Sequence, residues 1–333
     1  MTSKRFSKRG VITIFILLAM VLAAIILAHH NPAADPREEL LKKLLSCAVI
    51  AAACVIFVHS YDKLTVLPVE LWQNRHLIWK LARNDFRKRY AGSYLGALWA
   101  MAQPVVTVVM YYIVFDKIFG SSGPMREGIE VPFVLFLTAG LVPWFYFSEA
   151  LNHGTMALLE YNYLVKKVVF KISILPIIKV IGAAFIHVFF VGVLLVVSLC
   201  YGYYPSVYTL QIFYYSACLF VFVLALCYTT CALVVFFRDL SQIINIALQI
   251  GIWATPILWN IDELGAKYSR LVMILKLNPL VYIVNGYRSA IYEHQWFFWD
   301  FYSTMYFWIV TVVLFGIGAL VFKRLKVHFA DVL

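Results

Sequence analysis

The stretch that decides the architecture is 180–237, VIGAAFIHVFFVGVLLVVSLCYGYYPSVYTLQIFYYSACLFVFVLALCYTTCALVVFF, which lies between Lys179 and Arg238 and contains no Asp, Glu, Lys or Arg. A membrane-spanning helix needs about 20 mainly apolar residues, so this run is too long for one span. Tyr201-Gly202-Tyr203-Tyr204-Pro205-Ser206 interrupts it, and glycine and proline punctuate local structure. The stretch therefore reads as two spanning helices joined by a tight turn.

The whole chain agrees with that reading. Of 333 residues, 63% are hydrophobic and 14% charged, against about 45–50% and about 25% in soluble domains. This excludes an ordinary soluble globule, and a disordered chain would need low hydrophobicity. The net charge is +11, from 28 Lys+Arg against 17 Asp+Glu. A basic balance often signals nucleic acid, but long uncharged runs do not suit such a protein, and no nucleic-acid partner is expected.

Further spans are expected at 11–28, 45–59, 95–115, 131–152, 241–259 and 301–322, with 174–200 and 208–236 as the central hairpin. The fold class is an all-α polytopic membrane protein. The run at 11–28 reads as a retained anchor, because His29-His30-Asn31-Pro32 offers no small-residue cleavage site. Counting eight crossings from a cytoplasmic N-terminus, 19 of the 28 Lys+Arg fall in the inside segments 1–10, 60–91, 153–179, 237–240 and 323–333. That is the positive-inside bias, and it predicts both termini in the cytoplasm. Three parts follow: a transmembrane hairpin at 1–60, an amphipathic interface helix at 68–91, and a six-span core at 92–333. The core carries a cytoplasmic loop at 153–173 and an outer region at 260–300.

The six cysteines lie in apolar stretches without a CxxC pair, so neither a zinc site nor a disulfide framework is indicated. Cys227 and Cys231, one helical turn apart, read as small packing residues; no metal is expected.

On the helix before the core, Leu71, Trp72, Ile78, Trp79, Ala82, Phe86 and Tyr90 share a face at 100° per residue. Lys80, Arg83 and Arg87 lie beside that face, while Arg75 and Arg89 intrude on it. A basic helix with tryptophan on its apolar side suits the headgroup boundary, with Trp72, Trp79, Arg83, Phe86 and Arg87 as its anchors. The competing reading is a soluble helix packed on a neighbouring domain; a position just ahead of a span favours the interface.

Arg83-Asn84-Asp85-Phe86-Arg87-Lys88-Arg89-Tyr90-Ala91-Gly92-Ser93-Tyr94-Leu95-Gly96-Ala97-Leu98-Trp99-Ala100, then Gln103-Pro104 and Val114-Phe115, resembles the opening of type-2 ABC exporter permeases. The closest group is the exporters of O-antigen, capsule, teichoic acid and rhamnose-rich polysaccharides. Three more stretches match in order: Asn162–Phe170 before Ile174-Leu175-Pro176; Phe237-Arg238-Asp239-Leu240 with Trp253-Ala254-Thr255-Pro256-Ile257; and Asn278-Pro279-Leu280 with Tyr287-Arg288. The resemblance covers roughly 70–333. The chain departs from the usual six spans by its extra hairpin at 11–59, and it has Lys171 where relatives often have proline.

The resemblance implies a permease that moves a lipid-linked polysaccharide across the bacterial plasma (inner) membrane, working as two permeases with two ATPases. The chain has no G-x-x-x-x-G-K-[ST] loop and no Gly-Lys pair, so it holds no cofactor of its own, and a partner subunit binds ATP and Mg. Docking of that ATPase is expected around 158–171, with Tyr161, Asn162, Tyr163 and Leu164 filling a groove and Lys166 and Lys167 meeting acidic groups or lipid phosphates. A lysine cluster that merely sets topology is the plainer reading, but topology does not need Tyr-Asn-Tyr.

Trp99, Tyr111, Tyr112, Phe115 and Trp253 are candidate channel aromatics, since the resemblance places their spans along the conduit; core packing competes for each. Pro256, Asn278, Pro279 and Arg288 belong to the region that forms short re-entrant, gate-forming helices in the family. Arg238 and Asp239 are expected to be structural, Asp239 capping the next helix and Arg238 meeting carbonyls or lipid phosphate. Gly92-x-x-x-Gly96 with Ala100 reads as a small-residue strip for close helix approach. Glu149, Lys179 and His187 are span-end or intramembrane ionisable groups with no visible acidic chain between them. A membrane-embedded glycosyltransferase would call for more acidic chemistry, and no Asp-x-Asp pair occurs. A proton-coupled flippase would need buried carboxylates, of which only Glu149 qualifies.

Overall fold

The computed structural model describes residues 8–28, 36–89, 91–92, 94, 96, 98–120, 123–126, 128–166, 171–264 and 268–333. It divides into two compact units, Met1–Val69 and Glu70–Leu333. In the first, α1 (Lys8–Ala28) and α2 (Pro36–Leu64) form a helical hairpin. Phe15 and Phe57 stack across it at 4.0 Å. The second helix runs well beyond the expected 45–59.

The division falls within α3 (Val66–Gln73), which α4 (Arg75–Arg89) follows. The interface helix expected as one piece is thus broken at Asn74. The Asn74 side chain donates to the Glu70 carbonyl at 2.6 Å, the local competition by which asparagine weakens a helix interior.

Next come α5 (Leu98–Tyr111) with a π-helical continuation at Tyr112–Ile118, the short antiparallel pair β1 (Met125–Arg126) and β2 (Ile129–Glu130), and α6 (Phe133–Glu160). The two-residue strands had no signal in an all-α reading. The α6 helix has 28 residues, about 42 Å at 1.5 Å per residue. It continues eight residues beyond the span expected at 131–152, into the expected cytoplasmic loop.

After the four-residue α7 (Asn162–Val165), the opening stretch forms α8 (Leu175–Cys200) and α9 (Gln211–Val234). The expected turn is there: Gly202 adopts φ +83°, and Ser206 opens the short 3₁₀ segment ahead of α9, its amide donating to Thr209 Oγ1 at 3.0 Å. Then follow α10 (Leu240–Ala254), α11 (Ser269–Lys276), α12 (Pro279–Arg288), α13 (Phe301–Leu325) and α14 (Phe329–Val332).

Among the described residues, seven helices are long and apolar enough to cross a membrane, and α10 is a shorter apolar one. The chain is an all-α polytopic membrane protein. The helix of the span expected at 241–259 is shorter than expected. It has 15 residues, about 22 Å, against a hydrocarbon core of about 30 Å. Thr255, extended at ψ 131°, stops it, as a residue before proline tends to do.

The core sits around α6, which packs on α8, α9 and α12, while α13 closes on α9. Close approach is made by glycines other than those expected. A Cβ at Gly154 would lie 2.3 Å from Cys227 Sγ, and one at Gly318 would lie 2.8 Å from the Ala225 carbonyl oxygen. Gly92 and Gly96 instead precede α5 with φ +83° and +54°. They form turns, the first just past the end of α4 as a terminating glycine does, so no helical strip joins them to Ala100.

Candidate functional site

The expected docking loop starts later than expected, because 158–160 still belong to α6 and Leu158 is fully buried. Beyond it, Asn162 and Lys166 are exposed, Leu164 is half-buried and Tyr163 is 53% exposed on α7. Lys167 lies outside the described residues. Tyr161 departs from its expected outward role: its hydroxyl donates to Asp85 on α4. Burial and that bond push the hydroxyl well above the ordinary tyrosine range, so it stays a donor at neutral pH.

Tyr161 thereby joins an ion cluster. Lys179 Nζ on α8 donates to Asp85 Oδ1 at 2.8 Å and pairs with Glu160 Oε2 at 2.6 Å. The same ammonium lies 4.8 Å from the Tyr161 ring centroid. Arg89 pairs with Glu149 on α6 at 2.9 Å and stands 3.7 Å from Asp85 Oδ2. Glu149 and Lys179, which had no visible link, are therefore linked through Asp85 and Arg89. The intrusion of Arg89 on an apolar stripe has the same explanation: that face of α4 packs on α8. Ile78 and Ala82 are buried there, and Phe86 meets Phe185 edge-on at 5.4 Å. Trp72 and Trp79 remain 72% and 56% exposed, and Arg83 and Arg87 are also exposed.

Beside the cluster, α4, α5, α6 and α8 line an open cavity of about 380 Å³ whose lining includes Arg89, Trp99, Glu149, His153 and His187. Among the channel candidates, Trp99 and Trp253 are exposed on α5 and α10, while Tyr111, Tyr112 and Phe115 are half-buried. Phe115 packs at 5.8 Å from Phe133, and Lys117 lies over Tyr112 at 5.3 Å.

At the other end, Pro256 is buried in the turn after α10. Asn278 caps α12, accepting from the Leu280 amide at 3.1 Å and donating to Thr255 Oγ1 at 2.9 Å, with Pro279 in the first turn. Arg288 is buried, donates to the Ile257 carbonyl at 3.1 Å and lies 3.6 Å over the Phe136 ring. His187 Nε2 stands 2.9 Å from Tyr287 Oη and 3.1 Å from Ser216 Oγ, tying α12 to α8 and α9. Asp239 occupies the N-cap position of α10, but its side chain makes no capping hydrogen bond. It and Arg238 are exposed.

The profile of the family described as ABC-2 type transporter matches residues 76–292. The chain belongs to the ABC-2 type transporter family. It is 31% identical over 263 residues to the O-antigen export system permease protein RfbA of Myxococcus xanthus, covering 79% of this chain and 97% of that protein. A protein of the same name from Klebsiella pneumoniae is 27% identical, over 76% of this chain and 93% of its own length. The ABC-2 match begins inside α4, beyond the first unit.

Within this ABC-2 chain, sequence reasoning missed Asp85, Glu160 and Ser216. Asp85 carried one usable signal: it is the lone acid among the charged residues of α4, and it lies one turn from Arg89. The others are read only from the fold. Among the described residues, no group of three or more His, Cys, Asp or Glu side chains is placed to hold a metal.

Proposed function

We propose that this ABC-2 chain is the membrane-spanning permease subunit of an ATP-driven exporter that carries a lipid-linked polysaccharide outward across the plasma membrane. The observation that carries the reading is the foot of α6. There, exposed Asn162, Tyr163 and Lys166 stand on a base fixed from behind by Tyr161 on Asp85. An aromatic ring, an amide and an ammonium on a braced short helix suit a protein partner, with the ring as a natural anchor. The sequence has no phosphate loop, so the partner is a separate nucleotide-binding subunit that supplies the ATP and Mg chemistry. Two ATPases work with two copies of this chain.

The substrate class follows the names of the relatives, O-antigen export permeases. The exposed faces of Trp99 and Trp253 suit sugar C–H groups and let a polymer slide past. Both termini are cytoplasmic in this reading, with α10 and the turn after it crossing the membrane together. The Thr255–Asn278 bond and the Arg288–Ile257 bond hold the outer gate. Glu149 is engaged by Arg89, which favours ATP over a proton gradient as the energy source.

The test is to purify the chain with the products of its neighbouring genes. A stoichiometric subunit bearing a phosphate loop, with vanadate-sensitive ATP hydrolysis, is the expected result. Export that continues under a proton gradient without such a subunit refutes the reading. Replacing Tyr163 and Leu164 together with Asp is expected to abolish ATPase association while membrane insertion is kept; unchanged association would place docking elsewhere.

A further inference from the structure

Asp85 is approached from three directions. Lys179 comes from α8, Tyr161 from the foot of α6, and Arg89 from one turn further along α4. Lys179 continues to Glu160 and Arg89 continues to Glu149, both on α6. Three helices therefore meet in one chain of contacts, in which two cations face three carboxylates. The side chains of Asp85 and Lys179 are only 10% and 5% exposed. Orientation in the membrane needs none of this, since basic residues at span ends can lie among headgroups. Stability does not demand it either, because buried ion clusters often give way to apolar residues without loss. What such a cluster has and an apolar contact lacks is directional geometry: a small displacement of one member misaligns several bonds at once. Packed interfaces of that kind switch between discrete arrangements and do not deform continuously.

We propose that Asp85 is a positioning residue that clamps α4, α8 and the foot of α6 into one unit, so that movement of the foot by the ATPase reaches the interface helix and two spans together. The proposal rests on the docking reading above. Tyr161 is the member through which motion enters, because it directly precedes exposed α7. Lys179 is the member through which motion leaves toward the membrane interior, because it is the buried cation of α8.

The experiment uses the full chain co-purified with its ATPase, and it compares abundance, ATPase association, ATP hydrolysis and exported polymer. Asp85→Leu alone leaves Lys179 with Glu160 only, and Lys179→Met alone leaves Asp85 with Tyr161 and Arg89 only, so each weakens the pairing of a buried charge and is expected to lower abundance. The Asp85→Leu/Lys179→Met double variant removes both charges and is expected to restore abundance and association. Its export per ATP hydrolysed is expected to stay at least about fivefold below wild type, the low end of ordinary coupling effects. Tyr161→Phe removes one hydroxyl. It is expected to assemble normally and to lower the same ratio, so it decides the matter even if the double variant fails to fold. If the double variant recovers export along with abundance, or if Tyr161→Phe exports at the wild-type ratio, Asp85 is structural only and the proposal is overturned. Persistent ATPase association in the Tyr163→Asp/Leu164→Asp variant would instead overturn the docking reading beneath it.

Discussion

Arg89 and Arg288 show what single residues do when a charge is carried into apolar surroundings. Each is held by named partners: Arg89 by Glu149 and Asp85, Arg288 by the Ile257 carbonyl and the face of Phe136. A desolvated cation over an aromatic ring is worth about 2 kcal/mol, and a hydrogen bond to a charged group about 1.5–3 kcal/mol. Arg288→Ala is therefore expected to lower stability by about 2–4 kcal/mol on these scales, read as a lower midpoint of thermal unfolding in detergent. Arg288→Lys should recover little, because an ammonium lacks the flat guanidinium that stacks on the ring. The charges themselves were legible in the sequence, and Arg89 stood out as an intruder on its stripe. Their partners were not. Glu149 is 60 positions from Arg89 and Ile257 is 31 from Arg288, and periodicity within one helix carries no information about which helix comes to lie opposite.

Elements were legible where hydropathy alone fixes them. The central hairpin, its Gly-Pro turn and the last long span follow from run length. The misreadings came where two signals compete. Gly92-x-x-x-Gly96 satisfies the spacing of a packing strip, yet two glycines so close just past a basic helix end equally satisfy a turn, and the left-handed φ at both shows that the turn wins. The extent of α6 was hidden because His153 and Glu160 look like loop residues until the helices that receive them are in place. Close packing is instead made at Gly154, facing Cys227 across α6 and α9. Gly154→Ala would set a methyl 2.3 Å from Cys227 Sγ, and overpacking of this kind costs about 1–3 kcal/mol. Adding Cys227→Ala removes the sulfur and is expected to recover most of the loss, measured by thermal unfolding of the two variants side by side. No recovery would mean that the two helices are not in register at this contact.

At the scale of the molecule, the distribution of basic residues predicts orientation, while the number of crossings turns on α10. A reporter fused after Leu333 is expected to be active in the cytoplasm, as is one fused to the N-terminus. A C-terminal reporter found outside would show that α10 and its following turn do not cross. The length of α6 has a mechanical meaning beyond topology. At about 42 Å against about 30 Å of hydrocarbon, the helix outruns the bilayer by about 12 Å or must tilt to fit. Its foot, tied to α4 and α8 through Tyr161 and Glu160, is then the part of the helix that overshoots, so the ion cluster belongs at the edge of the hydrocarbon. A thicker bilayer draws such a helix upright and a thinner one tilts it, so lipid thickness is expected to set the depth at which the cluster sits.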